Sequence, residues 1–260
     1  MEFASLSVEL LFILFFVAVI AGLLDTLAGG GGLITVPALI LSGVPPLAAL
    51  GTNKLQGSIG TATATYMMLK NNKISWDGIK NLMLFAFIGA AMGTIAVQFI
   101  NTDVLSFIIP AVLLFIAIYF IVSPSLTHSS TKPKVSRKKY QYGVIPFIGY
   151  YDGMFGPGTG SFFALSGVAC RGQDLLTSTA NAKPLNFSTN IASLIVFLFA
   201  GQILWVAGIL MMIGQVIGAW LGSHFLFKIN PGYLRGMVVL MCGGMLIKYI
   251  HSMGWIDYIF

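Results

Sequence analysis

DTLAGGGGLITVP (25–37), running on into LGTNKLQGS (50–58), sets an aspartate, four consecutive glycines and a lysine inside otherwise apolar sequence. DGMFGPGTGSFFA (152–164), followed by TANAKPLNFSTN (179–190), repeats the same residue types in the same order. Charged groups are expensive in apolar surroundings, and glycine lets a helix break. The two stretches therefore read as paired halves of one transport site.

Composition sets the surroundings of that site. The chain has 260 residues, 57% hydrophobic and 8% charged, where a soluble domain carries about 25% charged residues. Its apolar residues come in blocks of roughly 17–25, the length that crosses a bilayer as helix. They do not alternate with polar residues as the strands of a membrane barrel do. The fold class is thus all-α: a polytopic helical membrane protein with two homologous repeats, read as inverted, and broken or re-entrant helices. Helices are expected at 8–24, 33–43, 47–69, 79–100 and 104–123. Pro45 and Pro46 end the second of these, and the polar link 70–78 separates the third from the fourth.

The repeat is read from rare residue types. Asp25 aligns with Asp152 at an offset of 127, as do Gly29 with Gly156 and Gly31 with Gly158. At an offset of 129, Lys54 aligns with Lys183, Trp76 with Trp205, Gly89 with Gly218 and Gly93 with Gly222. One two-residue insertion reconciles the offsets. Three parts follow: a first transmembrane repeat (1–123), a basic linker (124–141) and a second repeat (142–260). Internal repeats of this kind mark secondary transporters.

The formal charge of +6 is concentrated, with five of fourteen basic residues (Lys132, Lys134, Arg137, Lys138 and Lys139) in the linker. Basic loops stay in the cytoplasm, so the charge is topogenic and argues against a nucleic-acid partner. Contact with anionic lipid is a secondary role for it. If 33–43 crosses the membrane, each half has five crossings and the repeats are inverted. That segment spans only about 16 Å as helix, so re-entrance is the alternative. The N-terminus carries Glu2 and Glu9 and lacks a basic n-region, which argues against a cleaved signal peptide. Gly89 and Gly93 form a GxxxG pair, read as helix packing that also permits a homodimer.

Lys54 and Lys183 are the sharpest candidate site residues. A lysine at membrane depth should face a cavity or a partner. One reading is attraction of a small anionic substrate; the other is a structural ion pair with Asp25 or Asp152. Asn53, Gln56, Asn181, Asn186 and Asn190 would hydrogen-bond substrate oxygens. Unwound backbone at Gly29, Gly30, Gly31 and Gly32, and at Gly156 and Gly158, would turn N–H groups toward an anion beside a helix N-terminus. Asp25 and Asp152 are candidates for proton coupling, with helix capping or lysine pairing as the alternatives.

Other chemistries are not written here. The P-loop, HExxH and GxSxG patterns are missing. His128, His224 and His251 lack ligand spacing, and Cys170 and Cys242 have no CxxC partner. The sequence thus points to no enzyme, cofactor or metal.

GLLDTLAGGGGLITVPAL (22–39), GTNKLQ (51–56), GYYDGMFGPGTGSFFAL (149–165) and NAKPLN (181–186) resemble the sulfite exporter TauE/SafE family. Within it the chain is similar to the YfcA-type members. The resemblance spans essentially the whole chain. It implies an inner-membrane protein of two related halves that moves sulfite, sulfoacetate, thiosulfate or another small organic anion. Family roles carry to Gly29–Gly32, Asn53 and Lys54, and to Gly156, Gly158, Asn181 and Lys183. Pro157 and Pro184 make the second half less regular than the first. The expected function is secondary anion transport by alternating access with proton coupling. A passive anion channel and a membrane scaffold or chaperone without flux are the competing readings.

Overall fold

The computed structural model describes residues 6–122 and 132–226, together with Gly243. His128, His251, Cys242, Glu2 and residues 124–131 of the linker lie outside the described residues. Among the described residues ten α-helical elements follow in order: α1 (Val8–Ala28), α2 (Gly32–Leu41), α3 (Pro46–Lys70), α4 (Trp76–Val97), α5 (Thr102–Val122), α6 (Arg137–Lys139), α7 (Ile145–Met154), α8 (Thr159–Arg171), α9 (Leu175–Phe199) and α10 (Trp205–Phe225). A π-helical stretch, Tyr140–Val144, joins α6 to α7. Among the described residues there is no strand.

The boundaries have local causes. Ser7 caps α1 by accepting from the Leu10 N–H at 3.3 Å. Gly29, at φ +79°, ends that helix and returns its N–H to the Asp25 carbonyl. Pro46 sits in the first turn of α3, where a missing N–H costs nothing. Asp174 caps α9 by accepting from the Thr177 N–H at 2.9 Å. Helical chain begins again at Arg137, inside the stretch read as linker, because the Ser136 hydroxyl accepts from the Lys139 N–H.

Helix α2 turns back rather than crossing. Ala38 and Leu39 share a buried cluster with Leu14 and Ala18 of α1, and Ile34 packs with Ala21 and Leu24. Late residues of α2 thus meet early residues of α1, so the two form an antiparallel hairpin. Helix α8 likewise returns to where α6 began: the Lys134 and Val135 N–H groups both donate to the Cys170 carbonyl, at 3.1 and 2.9 Å. The α1–α2 hairpin emerges at Val44, which packs with Leu204 at one end of the bundle. The second hairpin emerges beside the 70–78 link, at the far end of α3. The two hairpins therefore enter from opposite ends, with α3, α4 and α5 crossing between them.

Helix α1 packs on α10 and α4 packs on α7, while α3 and α9 cross at the centre. The glycine pair on α4 is indeed packing. A Cβ at Gly89 would stand 2.1 Å from the Pro146 carbonyl oxygen, and one at Gly93 would stand 2.0 Å from that of Tyr150. Only glycine lets the two backbones come so close. Thr94 fixes the same contact by donating to the Gly153 carbonyl at 3.0 Å.

By length and composition, α1, α4, α9 and α10 are able to cross a membrane. Phe12, Phe16, Phe147, Ile209 and Ile213 project from the outer surface, as a lipid-facing surface requires. Trp76 and Trp205, each 54% exposed, begin α4 and α10, at the interfacial depth where tryptophan concentrates. Helix α3 is less apolar because it is interior: Thr52, Asn53, Lys54, Gln56, Ser58 and Thr61 are all buried in it.

Candidate functional site

Both hairpins turn at the centre of the bundle, at residues 29–31 and 155–158. Around these turns lies a polar cavity of about 20 Å³, room for roughly one water-sized particle. Asp25, Gly29, Gly31, Gly32 and Asn53 line it from the first half, and Asp152, Gly156, Asn186 and Asn190 from the second. Nine of the residues read as site candidates thus converge on one space from distant parts of the chain.

The lysines stand behind this lining, and each crosses to the other half. Lys54 Nζ lies 2.8 Å from Asp152 Oδ1, with both side chains 1% exposed. Lys183 Nζ donates to the Asp25 backbone carbonyl. In this conformation Lys54 is paired with Asp152 and Lys183 with a backbone carbonyl, and neither lysine lines the cavity. Asp152 Oδ1 also accepts from the Thr159 hydroxyl at 2.7 Å, while Oδ2 has no hydrogen-bond partner among the described residues. Asp25 Oδ1 accepts from the Gly31 N–H at 3.1 Å. The Gly29 N–H is spent on the Asp25 carbonyl at 2.7 Å, so two glycine donors are engaged within the protein.

The amides form a network. Asn53 Oδ1 accepts from the Thr35 hydroxyl at 2.6 Å and from Gln56 Nε2 at 3.0 Å. Gln56 Oε1 in turn accepts from Gln215 Nε2 at 3.0 Å. Gln56 therefore supports Asn53 from behind. On α9, Asn190 Nδ2 reaches Asn186 Oδ1 at 3.4 Å. Gly30 lies in the first turn, where its carbonyl accepts from the Leu33 N–H, and Gly158, at φ +77°, precedes α8; neither lines the cavity. Asn181 is elsewhere, on the wall of a second cavity beside Lys73 and Gln173.

Gly57, Thr61 and Gln215 also line the central cavity, and sequence reading passed over all three. Two carried a periodic signal: Asn53, Gly57 and Thr61 recur every four residues, one face of a helix. Gln215 carried a compositional one, as the only amide in the apolar run of α10.

Counted as ions, Lys54, Lys183, Asp25 and Asp152 sum to zero charge. An anion entering as a fifth charge would leave the buried centre unbalanced unless a proton came with it. Among the described residues, no group of His, Cys, Asp and Glu is arranged to hold a metal ion.

Comparison with known proteins identifies the family. Residues 14–249 match the family described as Sulfite exporter TauE/SafE. A "Probable membrane transporter protein" of Haemophilus influenzae is 40% identical over 254 residues, covering 98% of this chain and 100% of the relative. "Probable membrane transporter protein ORF9" of Sinorhizobium is 38% identical over 95% of this chain and 94% of its own. "Probable membrane transporter protein YfcA" of Escherichia coli K12 is 38% identical over 94% of this chain and 90% of its own. No solved structure matches the chain significantly.

Proposed function

The chain belongs to the sulfite exporter TauE/SafE family, and we propose that this membrane transporter carries a small sulfur oxyanion or sulfonate by alternating access, one proton moving with each anion. One observation carries the reading: a buried Lys54–Asp152 ion pair joins the two halves beside a polar cavity. The anion and the Asp152 carboxylate compete for the same ammonium. Protonating Asp152, whose Oδ2 lacks a protein partner, cancels its charge and leaves the four central groups at +1. An anion then restores neutrality, held by Lys54 and oriented by Asn53, Asn186 and Asn190. Release of proton and anion on the other side lets the ion pair close again. Lys183 and Asp25 serve the same purpose in the other half. Rocking of two inverted repeats would expose the site to each side in turn, in the inner membrane with the basic linker in the cytoplasm.

The test is flux in proteoliposomes with sulfite, sulfoacetate, thiosulfate and a carboxylate, with and without a pH gradient. One anion should move and saturate. It should move faster when the anion-loaded side is the more acidic, because the proton travels with it. Asp152→Asn should retain residual flux and lose that response. Flux that neither saturates nor follows the gradient would instead identify a passive channel. Stable co-purification of a partner with no flux at all would identify a scaffold.

A further inference from the structure

The transporter is not equally closed at its two ends. At the end reached by α3's first turn, the 200–204 loop lies directly on the helix. The Leu204 N–H donates to the Thr52 hydroxyl at 3.0 Å, and a Cβ at Gly51 would stand 2.0 Å from the Gln202 carbonyl oxygen. At the other end, the 70–78 link and the start of α9 stand apart around a cavity of about 310 Å³. This is the basic end: Lys70, Lys73, Lys80, Lys134, Arg137 and Arg171 all belong to its loops and first or last turns.

The chamber's walls are mixed, with Ile74, Ile79 and Leu82 beside a set of polar groups that could meet an anion. Lys73, Ser75, Gln173 and Asn181 line it, and the Asn181 amide makes no hydrogen bond within the described residues. Its floor is apolar. Phe163, 1% exposed, and Leu185, 2% exposed, line it and are buried in the bundle. The residue after Leu185 is Asn186, which lines the central cavity. Helix α9 thus contributes to the walls of both cavities, Ala182 and Leu185 to the larger and Asn186 and Asn190 to the smaller. By contrast Thr52, which stands 129 residues before Asn181 as Lys54 stands before Lys183, is already bound by the opposite loop.

We propose that this chamber is the loading compartment for the sulfur anion on the basic side, with Phe163 and Leu185 as the gate between it and the central site. It rests on the transport reading above and adds to it where the anion waits, which side is open in this conformation, and what bars the way. Basic groups around the mouth raise the local anion concentration, and the apolar floor keeps a hydrated anion out of the centre until the gate parts.

The test places a cysteine at Asn181 in a chain whose Cys170 and Cys242 are replaced by serine. Two impermeant maleimides of similar reach are applied, one bearing a sulfonate and one a quaternary ammonium. Flux of the transported anion is compared with that of the same unlabelled protein. Labelling should occur only from the basic side. The sulfonate adduct should lower flux on the order of tenfold, by filling and charging the chamber, and the ammonium adduct clearly less. Ser75→Cys gives the same measurement from the opposite wall should Asn181→Cys fold poorly. Labelling from the other side, or adducts of either charge that leave flux unchanged, would overturn the chamber. Equal block by both adducts would overturn its anion selectivity. Absence of flux before labelling, with every anion tried, would instead overturn the transport reading, and this inference with it.

Discussion

Lys54→Ala should lower the stability of the detergent-solubilised protein and remove anion flux, and the two losses should separate in a double variant. Lys54 is the only cation within bonding distance of Asp152 among the described residues. Truncating it leaves a carboxylate buried without its partner, which costs about 3–5 kcal/mol. Asp152→Asn removes the orphaned charge, so Lys54→Ala/Asp152→Asn should recover most of the thermal stability. It should not recover flux, because the ammonium that binds the anion is still missing. A buried partner of a charged ligand is worth about 2–5 kcal/mol, so flux should fall by about 30-fold or more. A double variant that carries the anion at the native rate would remove Lys54 from the site and leave it a purely structural pair.

The fold was legible because its causes are local. Glycine runs, proline pairs and apolar block lengths placed the five helices of the first half, α1 to α5, within a few residues of where they lie. What stayed open was whether 33–43 crosses, since a segment of about 16 Å suits both a short span and a re-entrant arm. Its return along α1 changes less than expected. A hairpin that leaves from the end it entered contributes no net crossing, so in the first half three helices, α3, α4 and α5, take the place of five crossings. Both numbers are odd, and either way the second hairpin starts from the opposite end.

The site was legible as a set of residues but not as a set of contacts. Asp25, Asp152 and the glycines stand out because their types are costly or permissive at membrane depth. Which lysine meets which aspartate depends on where the end of α7 comes to lie beside α3, and no spacing within either helix encodes that. Asn181 shows the limit of reading by neighbourhood. It lies two positions before Lys183, about 200° around the helix, and so faces the chamber at the basic end. Asn186 and Asn190, one turn apart, share a face and meet the central cavity together.

The meeting of the two turns gives the second large effect. Gly29 has φ +79°, and a Cβ built there would lie 2.3 Å from the Gly160 carbonyl carbon and the Ser161 nitrogen. The Ser161 hydroxyl donates to the neighbouring Ala28 carbonyl, so the two hairpins touch backbone to backbone at this point. Gly29→Ala therefore carries two penalties: left-handed backbone strain of about 1–2 kcal/mol, and overlap with backbone that no rotamer change relieves, about 1–3 kcal/mol more. Gly43→Ala isolates the first. Gly43 has a similar φ of +85°, but nothing lies within 4 Å of its Cβ direction. The fall in thermal midpoint should be clearly larger for Gly29→Ala than for Gly43→Ala, with loss of flux only in the former. Gly29 lines the cavity, so pushing the turns apart also displaces the Asp25 and Asp152 that they carry. Equal losses in the two variants would mean that the turns do not meet, and the placement that brings Lys54 to Asp152 would fall with them.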